Sequence, residues 1–128
     1  MPTTLSDAFA GTGTGDPAAS PITLATSQEI RDRGSAFVGY VYRARTADDA
    51  RGVLSFHTRA RTNEKQAYLI AAWRCMVVKP GRTGLGGPDE FEVEEGYEDG
   101  GERWAGKRVL GVMQREGAMD GVVIVRRW

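Results

Sequence analysis

The chain has 128 residues, enough for one domain with a core of modest size. Its hydrophobic share, 41%, is that of an ordinary folded protein, and its formal net charge of zero supplies no global field toward nucleic acid or membranes. One cysteine and one histidine exclude an internal disulfide and a structural zinc site, which needs several such ligands.

Residues 1–26 are rich in Gly, Ala, Ser, Thr and Pro. Such a segment buries too little surface to offset its ordering entropy, so it reads as a disordered tail. The run Gly11-Thr12-Gly13-Thr14-Gly15 lacks the strand, helix and lysine that make a phosphate loop. Structure is expected from residue 27, with a short strand over 27–30. After a polar turn at 31–34, the aromatic and β-branched run Ser35 to Arg43 predicts a second strand. Thr46-Ala47-Asp48-Asp49 has the spacing of a capping box. Ala47, Ala50, Val53, Leu54 and His57 then share one helical stripe, which predicts a helix ending near Thr58.

A basic connector over 59–66 leads into the apolar run Ala67 to Val78, read as a central strand closed by Lys79-Pro80-Gly81. Residues 81–88 read as an open glycine loop. Phe91 to Tyr97 read as an edge strand whose alternating acids discourage pairing with another chain. A second helix starts near Ala105-Gly106. Val109, Leu110, Val112 and Met113 form its apolar face, and Gly117 its C-terminal cap. Val122 to Val125 are consecutive β-branched residues, the pattern of a strand covered on both faces.

Charge is unevenly spread. Asp89, Glu90, Glu92, Glu94, Glu95, Glu98, Asp99 and Glu102 fall where no Lys or Arg occurs, so the remainder is basic. The acidic stretch offers a site for a basic partner or a cover for the chain's own basic face; its plainer reading is a solvated loop, ending in a cap over the N-terminus of the second helix that the dipole favours. Asp99 and Glu102 are the carboxylates nearest to a Mg²⁺ site, but a glycine loop supplies little of the geometry a metal needs. Cys75 lies in an apolar run and reads as a small core residue. His57 reads as a helix-end residue near the negative pole. No Ser sits in a nucleophile elbow, and no nucleophile, base and oxyanion donors converge, so no enzyme, metal site or cofactor is expected. The basic candidates are Arg43, Arg45, Arg59, Arg61 and Lys65, with Tyr40, Tyr42 and Trp73 as stacking partners. Such a set binds RNA through phosphates and base stacking, or simply solubilises the surface.

Five motifs in order resemble the IMPACT family, also known as the YigZ-type domain, and its fungal branch in particular. Ser35-Ala36-Phe37 is similar to the family's Ser-x-Phe strand, and Ile70-Ala71-Ala72-Trp73-Arg74 to its Ala-aromatic-Arg strand. The loop from Lys79 to Leu85 resembles that of fungal members. Asp99-Gly100-Gly101-Glu102, followed by Ala105-Gly106 and Val109-Leu110, resembles the acidic turn and the helix after it. Val122 to Val125 with Arg127-Trp128 resembles the closing strand. The resemblance spans residues 33–128. The family's His-Asn pair falls on Tyr68-Leu69, and its second acidic-motif Asp on Gly100. The N-terminal RWD domain of eukaryotic members and the C-terminal helix beyond a Gly-Gly turn are expected to be absent.

The resemblance implies an α+β fold over residues 27–128, similar to the second domain of ribosomal protein S5. That fold is a two-layer sandwich with an about four-stranded sheet and two helices on one face. It marks Ala72, Trp73, Arg74, Asp99, Gly101, Glu102, Ala105, Gly106, Arg127 and Trp128 as family positions. It implies a non-enzymatic regulatory domain, linked through protein binding to translational control of the amino-acid-starvation response. Eukaryotic relatives act there by competing for the activator of the starvation-sensing kinase. The alternative is a weak RNA-binding module without sequence preference, as bacterial relatives resemble nucleic-acid binders. The expected partners are a protein of the translation-control machinery, RNA or the ribosome, and a second copy through an unfinished C-terminal edge. A cytoplasmic setting without a membrane is expected, since no run approaches the roughly 20 apolar residues of a span.

Overall fold

The computed structural model describes residues 21, 23–60 and 67–128. It holds β1 (Thr23–Thr26), β2 (Ile30–Asp32), β3 (Ser35–Arg43), α1 (Ala47–Ala60), β4 (Tyr68–Val78), a 3-10 turn (Pro88–Glu90), β5 (Phe91–Glu98), α2 (Ala105–Glu116) and β6 (Gly121–Arg127). Every strand pairing is antiparallel, in the order β1-β3-β6-β4-β5, with β2 also on β3. The class is α+β as expected, with six strands where about four were expected.

The two additional strands come from the N-terminal side. Thr23–Thr26, assigned above to the tail, pairs with the Tyr40–Tyr42 stretch of β3. Residues 1–20, with the Gly11–Gly15 run, lie outside the described residues. The strand expected over 27–30 is instead Ile30–Asp32. Arg33 and Gly34, with φ of 52° and 80°, fold it back onto Ser35–Phe37. Two successive positive φ values match the twist of a tight hairpin.

The Thr46 half of the capping box forms, while the Asp49 carboxylate reaches the residue before the cap and not the Thr46 N–H. The Asp49 N–H donates to Thr46 Oγ1 at 3.1 Å, and the Arg45 N–H donates to the Asp49 carboxylate at 3.0 Å. At the other helix, Gly117 adopts φ 68° and closes α2 as expected.

Strand alternation separates two apolar faces. Tyr42, Leu69, Ala71, Trp73, Cys75, Val122 and Ile124 point to one, where Ala50 and Val53 of α1 pack. Ala72 and Val123 point to the other and meet Val109, Leu110 and Met113 of α2. The helices therefore lie on opposite faces, and the expected two-layer sandwich with both helices on one face is corrected to three layers. The physical reason is that β4 and β6 are apolar on both sides, so each needs cover twice. β3 and β4 run parallel with β6 between them, and β5 and β6 run parallel with β4 between them. With helices on opposite faces these two crossovers have opposite hands, and one is the uncommon left-handed kind.

β6 is interior, hydrogen-bonded to β3 and β4 along its length, so the C-terminal strand is not a sheet edge. Trp128 prolongs its ladder: Ala36 N–H donates to the Trp128 carbonyl at 2.8 Å and Trp128 N–H to the Ala36 carbonyl at 3.0 Å. Among the described residues no helix is long and apolar enough to cross a membrane.

Candidate functional site

The acidic stretch is not a solvated loop; most of its carboxylates have partners. Glu90 is 8% exposed. Its Oε1 accepts from the N–H of Thr83 and Gly84 and from Thr83 Oγ1, and its Oε2 accepts from the Gly86 N–H at 3.1 Å. The glycine loop expected to be open is thus wrapped around one buried carboxylate. Glu94 accepts from the Ala47 N–H at 2.7 Å and caps α1. Glu95 pairs with Arg74 Nε at 2.8 Å and accepts from Gln114 Nε2 at 2.9 Å.

The family positions after β5 converge on the start of α2. Asp99 Oδ1 accepts from the Gly106 N–H at 2.8 Å, and Oδ2 from the Trp104 N–H at 3.2 Å. This is the expected acidic cap, with a carboxylate satisfying first-turn donors at the positive pole. At Gly100, φ is +63° and a Cβ would stand 2.0 Å from the Leu69 carbonyl oxygen, so the family's Asp does not fit this backbone. At Gly106 a Cβ would stand 2.7 Å from the Glu98 carbonyl oxygen, so glycine lets α2 begin against β5.

Glu102 forms an ion pair with Arg127 Nη1. Arg127 Nε also donates to Ser35 Oγ at 3.1 Å, and its guanidinium lies 5.7 Å from the ring centres of Phe37 and Tyr68. Residues of β3, β4, β6 and the turn before α2 thus meet at one end of the sheet. The remaining family positions are structural. Ala72 and Trp73 are core residues on opposite faces, and Ala105 is buried. Arg74 Nη1 donates to the Ala118 carbonyl at 3.2 Å. Trp128 lies half-buried with the Arg126 guanidinium 4.6 Å from its ring centre.

His57 is more than a helix-end residue. Its Nε2 stands 2.5 Å from the Tyr42 hydroxyl, and its ring packs 4.8 Å from that of Tyr40. Burial, with the positive charge of Arg126, holds its pKa below the ordinary 6.5. Burial also pushes the Cys75 thiol up to about 12, assisted by the carboxylates of Asp120, Glu94 and Asp49. The nucleophilic thiolate is therefore suppressed. Among the described residues no three His, Cys, Asp or Glu side chains gather to hold a metal.

The basic patch expected from the sequence does not assemble among the described residues. Arg43 lies half-buried on the α2 side of the sheet, its Nε buried without a hydrogen-bond partner, whereas Arg59 rides on α1 across the sheet. Arg45 sits between β3 and α1; Arg61 and Lys65 lie outside the described residues. Tyr42 and Trp73, expected to stack on bases, are 3% exposed.

A different basic surface emerges on the outer side of α2. Trp104, Lys107, Arg108, Gly111, Val112 and Arg115 line an open groove there. Val112, assigned above to the apolar face, is 48% exposed. Trp104 stands before α2 with φ 69°, a left-handed conformation that costs a bulky residue about 1–3 kcal/mol. Its ring centre lies 5.0 Å from the Arg103 guanidinium and 5.4 Å from Lys107 Nζ. The sequence signal was present: positions 104, 108, 111 and 115 share a helical face. Residue type alone does not distinguish it, because Lys and Arg on a helix ordinarily mark a solvated face.

The family model of the Impact N-terminal domain matches residues 33–128. No curated protein and no solved structure matches the chain.

Proposed function

Since the chain belongs to the Impact N-terminal domain family, we propose that it is a non-catalytic interaction domain. It acts in the cytoplasm in translational control of the amino-acid-starvation response, by binding a protein of that machinery. The observation that carries this reading is the use made of the family's polar positions. Asp99 is spent on capping α2, and Glu102 and Arg127 are spent on each other. His57 and Cys75 are likewise held neutral within the fold. A reacting centre needs such groups free and convergent. What is left exposed is shape and charge, the means of a binding surface.

The test is a reconstituted kinase assay. The starvation-sensing kinase and its protein activator are combined with rising amounts of the chain. Activation should fall in proportion to the chain added. Full activation at a large excess of folded chain would refute the role in this pathway.

A further inference from the structure

We infer that the outer face of α2, from Trp104 to Arg115, is a docking surface for an acidic amphipathic helix of a partner protein. The inference rests on the reading of the chain as an interaction domain and names where and what it binds. α2 turns Leu110 and Met113 to the sheet and leaves the opposite face uncovered. That face carries Lys107, Arg108 and Arg115, with Arg103 beside it, and none of the four pairs with a carboxylate among the described residues. Uncompensated cations along one helix face call for an anionic occupant.

Two further observations make the occupant a helix. Gly111 sits in the middle of an exposed helical face, where glycine is unfavourable. Its own fold does not demand it: a Cβ there would meet only Arg115 Nη1, at 3.5 Å. Gly106 differs, since the Glu98 backbone excludes a Cβ there. A glycine without an internal reason leaves a trough in which another helix can approach closely. Trp104 and Val112, 46% and 48% exposed, flank that trough as apolar anchors. An apolar stripe edged by carboxylates on the partner fits both, in the manner of a helix laid in a groove. The Trp104 ring is less suited to a nucleic-acid base, because Arg103 and Lys107 already lie against it.

The experiment uses the full chain and synthetic peptides of about three helical turns. One has leucines on one face edged by glutamates; a second has lysines in their place; a third is a scrambled form of the first. A single-stranded RNA oligomer is the fourth probe. The acidic peptide should bind with a dissociation constant of about 1–100 μM that weakens with salt. Trp104→Gly removes the anchor and accepts the left-handed backbone, and Gly111→Gln fills the trough while favouring the helix. Both should weaken binding by about tenfold or more while melting temperature holds or rises, which a merely structural role would not produce. Lys107→Glu with Arg115→Glu should transfer the preference to the lysine peptide. Failure of the acidic peptide to bind, binding unchanged in these variants, or uptake of RNA in its place would each overturn the inference. In the kinase assay, inhibition retained by Trp104→Gly would reject this surface and keep the proposed function. Peptide binding without kinase inhibition would do the reverse.

Discussion

The face of the sheet under α1 and the face under α2 share two central strands, yet they are built differently. Under α1, Tyr42, Trp73, Val122 and Ile124 are at most 3% exposed and pack as one apolar cluster. Under α2, the cluster is smaller, Val41 is 36% exposed, and Val123 and Val125 are half-buried. Ion pairs of Arg74 with Glu95 and of Arg127 with Glu102 are interleaved there. The first face carries the stability. The second trades apolar cover for charge, and α2 above it carries the surface proposed for docking.

The contrast is broken most directly by neighbouring residues of β6. Ile124→Ala empties a fully buried site and should cost about 2–5 kcal/mol in urea unfolding. Val125→Ala, one residue along and on the other face, should cost about 1 kcal/mol or less. Equal losses would show that the α2 face is as much a core as the α1 face.

A smaller effect is expected at Glu90, whose carboxylate gathers donors from Thr83, Gly84 and Gly86. Glu90→Ala should cost about 1–3 kcal/mol by leaving those donors without an acceptor. Hydrogen exchange should accelerate at residues 83, 84 and 86, while the amides of β6 stay protected. If β6 accelerates equally, the loop is part of the global core and not a separate unit.

The smallest effect is pH-dependent and confined to the α1 face. The folded pKa of His57 lies below its unfolded value, so the unfolded state binds more protons as pH falls. The stabilising contribution is complete above about pH 6.5 and is lost as pH drops through the folded pKa. His57→Gln should flatten the dependence of Tm on pH below that point. A parallel decline in the variant would assign acid lability to other groups.

Much of the local structure was legible beforehand. The stripe from Ala47 to His57 located α1, Thr46 and Asp49 its cap, and Gly117 the end of α2, because helix periodicity and caps involve residues a few positions apart. The acidic cap was legible for the same reason, since Asp99 and Gly106 are close in the chain. The turn expected over 31–34 does close at Arg33-Gly34, but Arg31 and Asp32 join the strand before it, because charged residues at a sheet edge look like turn residues in sequence.

By itself the amino-acid sequence determined the α+β class, the family and the apolar character of β6. Val122 to Val125 already demanded cover on both faces, which was at odds with helices confined to one. Only the tertiary structure decided that α1 and α2 take opposite faces, that β6 runs between β3 and β4, and which partner each acid meets. It also turned Trp104 and Val112 outward. Burial is a property of the assembled sheet: a residue's hydrophobicity says that it favours cover, and only the packing of distant strands says whether it finds any.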